Sequence, residues 1–261
     1  MLVQDVNATV ALSDTAAKIG PFVIARLERD GAIQLVRKAV QLRQPLDIGI
    51  CNAHTILTAL DNPDYAATLK QMTLLNDGIG IDMASRILTG RSFPANLNGT
   101  DLIPEILENI GIPLRIFLLG AEEDHVVEAR RHIETSYPMH QVVGHRNGYF
   151  DASECDDVCA EVSRHRPDLL LVAMGNPRQE HFIVENRGKL DVAVAVGVGA
   201  LFDFMSGSVA RAPRFVQAIG LEWLFRFLQE PRRLFRRYVI GIPRFFWAVL
   251  KLRRAQLQHD R

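Results

Sequence analysis

Residues 168–180 read Asp168-Leu-Leu-Leu-Val-Ala173-Met-Gly175-Asn-Pro-Arg-Gln-Glu180. An apolar run without a polar break, closed by glycine and proline, is the pattern of a strand buried on both faces. A helical pattern follows at once over residues 178–187. The same alternation extends in both directions. Asp47-Ile-Gly-Ile-Cys51 reads as a strand, as does Leu114-Arg-Ile-Phe-Leu-Leu119, which ends at Gly120. Gln141-Val-Val-Gly144 and Asp191-Val-Ala-Val-Ala-Val196 repeat it, the latter leaving through Gly197-Val-Gly199. Residues 53–60, 65–71, 83–88, 123–137 and 152–165 carry helical spacing between them. This predicts an α/β fold, a mostly parallel, Rossmann-like sheet with helices on both faces. Ligands of such sheets bind at the carboxyl ends of the strands, so Gly120, Gly175 and Gly197 are expected to line one crevice. There, backbone N–H groups and helix N-termini face an anion.

With 261 residues, 48% of them hydrophobic, the chain suits one large domain or a domain plus an appendage. Its formal net charge of zero hides a segregation. Residues 211–261 hold 12 Lys/Arg against 3 Asp/Glu, and residues 1–210 hold 18 against 27. The basic tail also carries both tryptophans, Trp223 and Trp247. It reads as helices over 215–228, 232–239 and 244–257, punctuated by Pro231 and Pro243. Cations among large aromatics suit a membrane surface, a polyphosphate or a nucleic acid. Residues 1–19 are weakly patterned. Cys51, Cys155 and Cys159 form no disulfide or zinc framework. Neither a signal peptide nor an apolar run of about 18 residues is visible, which predicts a cytoplasmic chain without a spanning helix.

Several polar groups fall at the expected ligand edge. Asn76-Asp77-Gly-Ile-Gly80-Ile-Asp82 lets the backbone approach a ligand and sets Asp77 at the rim, or else Asp77 caps a helix. Asn52 and Thr55, after the first strand, suit hydrogen bonding to a sugar or base, or a helix start. His54 between them has the pattern of a structural or surface histidine. Asn176, Arg178 and Gln179 cluster where phosphates or sugar hydroxyls would lie, with a solvated turn as the alternative. Asp203 follows Gly197 by six residues and suits ribose hydroxyls or a base N–H, or a helix cap. Tyr149 offers an aromatic face to a base or joins a core cluster. The sequence holds no Gly-x-Ser-x-Gly elbow, no cluster at metal-ligand spacing and no Asp-x-Asp near these groups. The expectation is therefore no metal and no other cofactor, with tail arginines neutralising any bound diphosphate.

Ten short motifs stand in register over residues 47–238. They are Asn52-Ala53, Asp77-Gly-Ile-Gly80, Asn98-Gly-Thr-Asp101, Phe117-Leu-Leu-Gly120, Gly148-Tyr-Phe150 and Gly175-x-Pro-x-Gln-Glu180, followed by Gly197-Val-Gly-x-x-Phe-Asp203, Arg211-Ala-Pro213, Gly220-Leu-Glu-Trp223 and Glu230-Pro-x-Arg233. Together they resemble the bacterial glycosyltransferases of family 26. That family includes N-acetylmannosaminyltransferases of teichoic-acid linkage units and of enterobacterial common antigen, and glucosyltransferases of exopolysaccharide assembly.

The resemblance implies inverting, metal-independent transfer from a UDP-sugar donor to a polyprenyl-diphosphate-linked sugar acceptor. The place implied is the inner face of the cell membrane, with the protein peripheral to it. Asp77 matches the proposed general base, Gln179 the motif glutamine, and Asp203 the acid on the nucleotide side. Arg226, Arg233 and Arg236 match arginines that hold diphosphate. Asn96 stands where members often carry Arg, and Asn96-Leu-Asn-Gly-Thr-Asp101 is closest in wording to the exopolysaccharide β-1,4-glucosyltransferase branch. The expected reaction is therefore β-1,4 transfer of glucose, with N-acetylmannosamine transfer to a lipid-linked cell-surface polymer as the alternative. Residues 1–210 would be the catalytic domain with its nucleotide-sugar crevice. Residues 211–261 would be an appendage on an anionic membrane surface, with Phe245 and Trp247 in the headgroup zone. Nucleic acid is not an expected partner, and a homo-oligomer is left open. A nucleotide-dependent oxidoreductase lacks its Gly-x-Gly-x-x-Gly turn, and a non-enzymatic adaptor leaves the crevice acids unexplained.

Overall fold

Leu169–Ala173 is a strand buried at every position, as its apolar run requires. It sits inside a sheet of eight strands: β1 (Ala16–Ile19), β2 (Phe22–Ala25), β3 (Leu46–Cys51), β4 (Thr73–Asn76), β5 (Arg115–Gly120), β6 (Gln141–Arg146), β7 (Leu169–Ala173) and β8 (Val194–Gly197). Their order is β1-β2-β4-β3-β8-β7-β5-β6. Only β1 and β2 pair antiparallel, and the other neighbours run parallel. The computed structural model describes residues 15–213, residue 216 and residues 222–259.

Alternate residues of the central strands feed two cores. Ile116 and Leu118 of β5 and Leu169 and Leu171 of β7 face one side; Phe117, Leu119, Leu170 and Val172 face the other. The first core is covered by α1 (Arg29–Gln41). The second is covered by α2 (Ala53–Asp61), α3 (Pro63–Leu69) and α4 (Gly78–Thr89). Next, α5 (Gly99–Asn109) and α6 (Glu123–Ser136) cover the first core, and α7 (Cys155–Arg164) and α8 (Arg178–Glu185) the second. The short α9 (Leu201–Met205) returns to the first. The chain thus leaves β5 and its neighbour β7 towards opposite faces. That divergence opens a crevice at the carboxyl edge, as the sequence predicts.

The sequence pattern misses the β1–β2 hairpin, α1 and α5. The hairpin's alternation spans only four residues per strand, although Ala17, Ile19, Phe22 and Ile24 are all buried. Residues 16–19, read as weakly patterned, are thus ordered strand, and residues 1–14 lie outside the described residues. Pro104 inside α5 reads as a breaker, but burial of Leu102, Ile103, Ile106 and Leu107 outweighs the lost backbone bond.

The tail continues as α10 (Glu222–Gln229), α11 (Pro231–Phe235), a π-helical turn (Arg236–Ile240) and α12 (Gly241–His259). Pro231 occupies the first turn of α11 and Pro243 that of α12, where a missing N–H costs little. The helix expected over 215–228 begins among residues outside the described ones, as does Gly220 of its motif, and the side chain of Arg233 also lies outside them. The expectation that Phe245 meets headgroups is overturned. Phe245 and Val249, one turn apart, are each 1% exposed and pack into the second core, where each contributes roughly 2 kcal/mol. Arg244 Nη2 pairs with Asp61 Oδ2 at 3.1 Å beside them. Among the described residues no helix is long and apolar enough to cross a membrane.

Gly120 closes β5 with φ +133°, and a Cβ there would fall 2.4 Å from the Ala173 carbonyl oxygen of β7. The carbonyl already accepts from Ala121 N–H at 2.9 Å, so it has no room to retreat. Gly120→Ala is expected to lower stability by about 3 kcal/mol, read as a shift of the urea midpoint.

Candidate active site

A cavity of about 1230 Å³ opens where the carboxyl ends of β3, β4, β7 and β8 meet the tail. Asn52 stands on one wall as the N-cap of α2. Its Oδ1 accepts from His54 N–H and Thr55 N–H, each at 3.1 Å, and its Nδ2 donates to Asp77 Oδ2 at 3.1 Å. One carboxamide therefore starts a helix and holds an acid. Thr55 completes the capping box and is wholly buried, outside the cavity wall, so its side chain is taken up by the fold.

Asp77 begins α4 in extended geometry, yet its side chain makes no capping bond. The helix start is satisfied instead by Asn96, whose Oδ1 accepts Gly78 N–H at 2.8 Å. The carboxylate of Asp77 is thereby left to the cavity, where Asn52 orients it. Gly78 holds φ +81°, which lets the chain turn from Asp77 into the helix beside that carboxylate.

The floor is formed by the β7 and β8 exits. Asn176, Gln179, Gly175 and Gly197 all line it. Gln179 is 1% exposed, with Nε2 donating to Glu180 Oε1 at 2.7 Å and Oε1 accepting Gly199 N–H at 3.1 Å. A Cβ at Gly197 would meet Gln179 Nε2 at 2.8 Å, so the glycine makes room for the carboxamide. Gly120 lies outside the wall and serves strand packing. Arg178, expected among the phosphate ligands, turns away: Nη2 donates to Phe150 carbonyl at 2.8 Å and the guanidinium lies over the Phe150 ring. Tyr149 is 71% exposed at the rim, which leaves it out of the core.

A third wall joins Asp203 of α9 to His125 of α6, with Nδ1 and Oδ1 2.9 Å apart. Sequence reading did not single out His125; its only signal is its place in the first turn after the β5 exit. That turn is acidic, with Glu122 also on the wall, so it suits hydroxyl groups better than phosphate.

The tail supplies the opposing charge. Arg226, Arg236 and Arg237 line the cavity, with the Arg226 guanidinium 4.9 Å from the centre of the Phe204 ring. Arg237 was not singled out, since nothing separates it from its neighbour in a run of two arginines. Burial, and then the charge of Arg237, push the His54 imidazole below its ordinary value, so it is neutral at neutral pH.

The sequence model of the Glycosyl transferase WecG/TagA/CpsF family matches residues 17–259. The chain belongs to this family. It is a glycosyltransferase, as the resemblance implied. Two relatives are N-acetylglucosaminyldiphosphoundecaprenol N-acetyl-beta-D-mannosaminyltransferases. That of Bacillus spizizenii is 35% identical over 199 residues, 76% of each chain, and that of Bacillus subtilis is 34% identical over 209 residues, 78% of each chain. These names overturn the expectation of glucose transfer in exopolysaccharide assembly. That expectation leaned on Asn96 and its neighbours, and Asn96 is engaged in capping α4.

The neutral His54 gives this WecG/TagA/CpsF family member an acid sensitivity of defined sign. Above about pH 6.5 the imidazole is neutral in both folded and unfolded chains and adds no pH dependence. Below that, the unfolded chain takes up the proton first, so stability falls with pH. His54→Gln is expected to flatten the decline in urea midpoint between neutral and mildly acidic buffer; an unchanged slope contradicts the burial of a neutral ring.

Proposed function

We propose that this glycosyltransferase moves N-acetylmannosamine from its UDP-linked donor to a GlcNAc-diphosphopolyprenol acceptor. The observation that carries the reading is the free carboxylate of Asp77, relieved of capping and held by Asn52, in a cavity also lined by tail arginines. The printed names of the two relatives supply the sugar and the acceptor.

In this reading Asp77 takes the proton of the acceptor hydroxyl as that oxygen attacks the anomeric carbon and UDP departs from the opposite side. The configuration inverts in one step. Charge grows on the β-phosphate, and Arg226, Arg236 and Arg237 stabilise it. Arg233 joins them on the sequence resemblance alone. Asn176 and Gln179 orient the donor, while the acidic first turn of α6 with Asp203 and His125 takes hydroxyl groups of the nucleotide sugar. Asp77→Asn is expected to lower kcat by about 10²–10⁴-fold with UDP affinity unchanged. Full turnover in that variant would remove the base from the scheme.

The donor is tested by incubating the protein with GlcNAc-diphosphopolyprenol and, separately, UDP-N-acetylmannosamine and UDP-glucose, with mass spectrometry of the lipid product. Growth by an N-acetylhexosamine from the first donor only is expected; growth by a hexose would return the reading to glucose.

A peripheral membrane position fits the outer face of α12. Trp247 is 61% and Leu250 50% exposed, and Lys251 Nζ lies 3.4 Å over the Trp247 ring, beside exposed Arg254. Aromatic and apolar groups flanked by cations suit an anionic interface. Trp247→Glu is expected to abolish flotation with anionic liposomes while leaving the fold intact.

A further inference from the structure

Under the cavity floor lies a wholly buried carboxyl group, that of Glu180. Its Oε1 accepts from Gln179 Nε2 at 2.7 Å and Asn176 Nδ2 at 2.6 Å, and its Oε2 accepts from the Tyr65 hydroxyl at 3.1 Å. Asn176 Nδ2 also reaches the Tyr65 oxygen at 3.3 Å. Two carboxamides and a phenol thus converge on one group. Only a carboxylate accepts from all three without bringing a hydrogen of its own.

The cluster is asymmetric with respect to the cavity. Asn176 and Gln179 line it, whereas Glu180 and Tyr65 lie behind. Both ends of Gln179 are fixed, because Oε1 accepts Gly199 N–H while Nε2 faces Glu180. Turning that carboxamide over would break both bonds. Asn176 directs its Nδ2 to the buried side, which leaves Oδ1 as its free acceptor.

We propose that Glu180 is a positioning residue: its buried carboxylate sets the orientation in which Asn176 and Gln179 meet the donor nucleotide. This rests on reading the cavity as a nucleotide-sugar site. An uncharged group at position 180 brings a donor into a place already crowded with donors. One buried N–H or O–H then loses its partner, and the two carboxamides lose the acceptor that ties them.

The charge of Glu180 is adjustable near neutrality, since burial pushes the carboxyl up to about 7. Two neighbouring groups are moved away from that range. Burial raises Tyr65 of α3 and Cys51 of β3, and the charges of Glu180 and Asp77 push the Cys51 thiol further up. His181 of α8 lies against Tyr65, with the ring centres 5.7 Å apart and the planes tilted by 47°. The folded protein retains the Glu180 proton to higher pH than the unfolded chain. The stabilisation this gives is complete below about pH 4.5 and is lost as pH rises through about 7. Stability and donor affinity therefore change with pH in opposite directions at this residue.

The test is calorimetric titration of UDP into wild-type protein and Glu180→Gln, below and above pH 7. Above it, the variant is expected to bind about tenfold more weakly, the loss of one charged hydrogen bond. Below it the gap closes, because a protonated carboxyl, like a carboxamide, keeps one acceptor oxygen and carries a donor in place of the other. A gap that is absent, or constant with pH, overturns the proposal. Thermal melting should find the variant at least as stable as wild type above pH 7. If the variant does not fold, side-chain amide NMR of the wild type decides. The Asn176 and Gln179 signals are expected to shift together with one midpoint near pH 7, and signals that stay put reject the positioning role. Wild-type protein that shifts in this way but does not bind UDP would reject the donor site and keep the coupling.

Discussion

Burial of β3, β5, β7 and β8 on both faces leaves only the carboxyl edge of the sheet for chemistry. Helices seal the two cores, so polar side chains gather where strands end and helices have yet to begin. Asn52, Asp77 and Asn176 occupy such exits, and Asp203 the short helix α9 that follows the β8 exit. The divergence of α6 and α8 to opposite faces spreads these exits apart and gives the cavity its width. The glycines at the same edge divide the labour. Gly120 lets β5 lie against β7, and Gly197 makes room for Gln179.

Several polar side chains in this region bind the fold with one end and the site with the other. Asn52 caps α2 and holds Asp77; Asn176 gives its Nδ2 to the buried Glu180 and stands on the cavity floor. A cap of this kind contributes about 1 kcal/mol, so losing it alone would not unfold the protein, but it would release the acid it orients. This coupling explains how a solvent-open cavity of this size keeps its polar groups in fixed directions without burying them all. It also explains the engagement of Thr55, which completes the capping box with Asn52, and of Asn96, which takes the α4 helix start and so frees Asp77 for other work.

Charge is arranged to the same end. The body is acidic and the tail basic, and the two meet over the cavity, where Arg226, Arg236 and Arg237 face the acidic walls. The tail is held there by packing rather than by charge alone: Phe245 and Val249 enter the second core, and Arg244 pairs with Asp61 at the surface. Anchoring of α12 leaves Trp247 and Leu250 on the outside, so one helix has an inner apolar face for the body and an outer one for another apolar or interfacial environment.

The sequence by itself determined the α/β class, the parallel sheet and the edge at which the site forms. Period and run length report burial, and burial on two faces admits few architectures. It also set Asp77, Asn176, Gln179 and Asp203 at that edge by their place after strands, and all four line the cavity. It could not tell that Thr55 and Arg178 serve the fold, because a cap, a packing contact and a ligand contact use the same residue types at the same positions. The pairing of Asn52 with Asp77, of His125 with Asp203 and of Glu180 with Tyr65 joins residues 25, 78 and 115 positions apart. Such partners have no local signal. Likewise, nothing in the spacing of Phe245 and Trp247 says which faces the body. Those choices were made by tertiary structure, since only the packed chain decides which donors share an acceptor and which side of a helix finds a core.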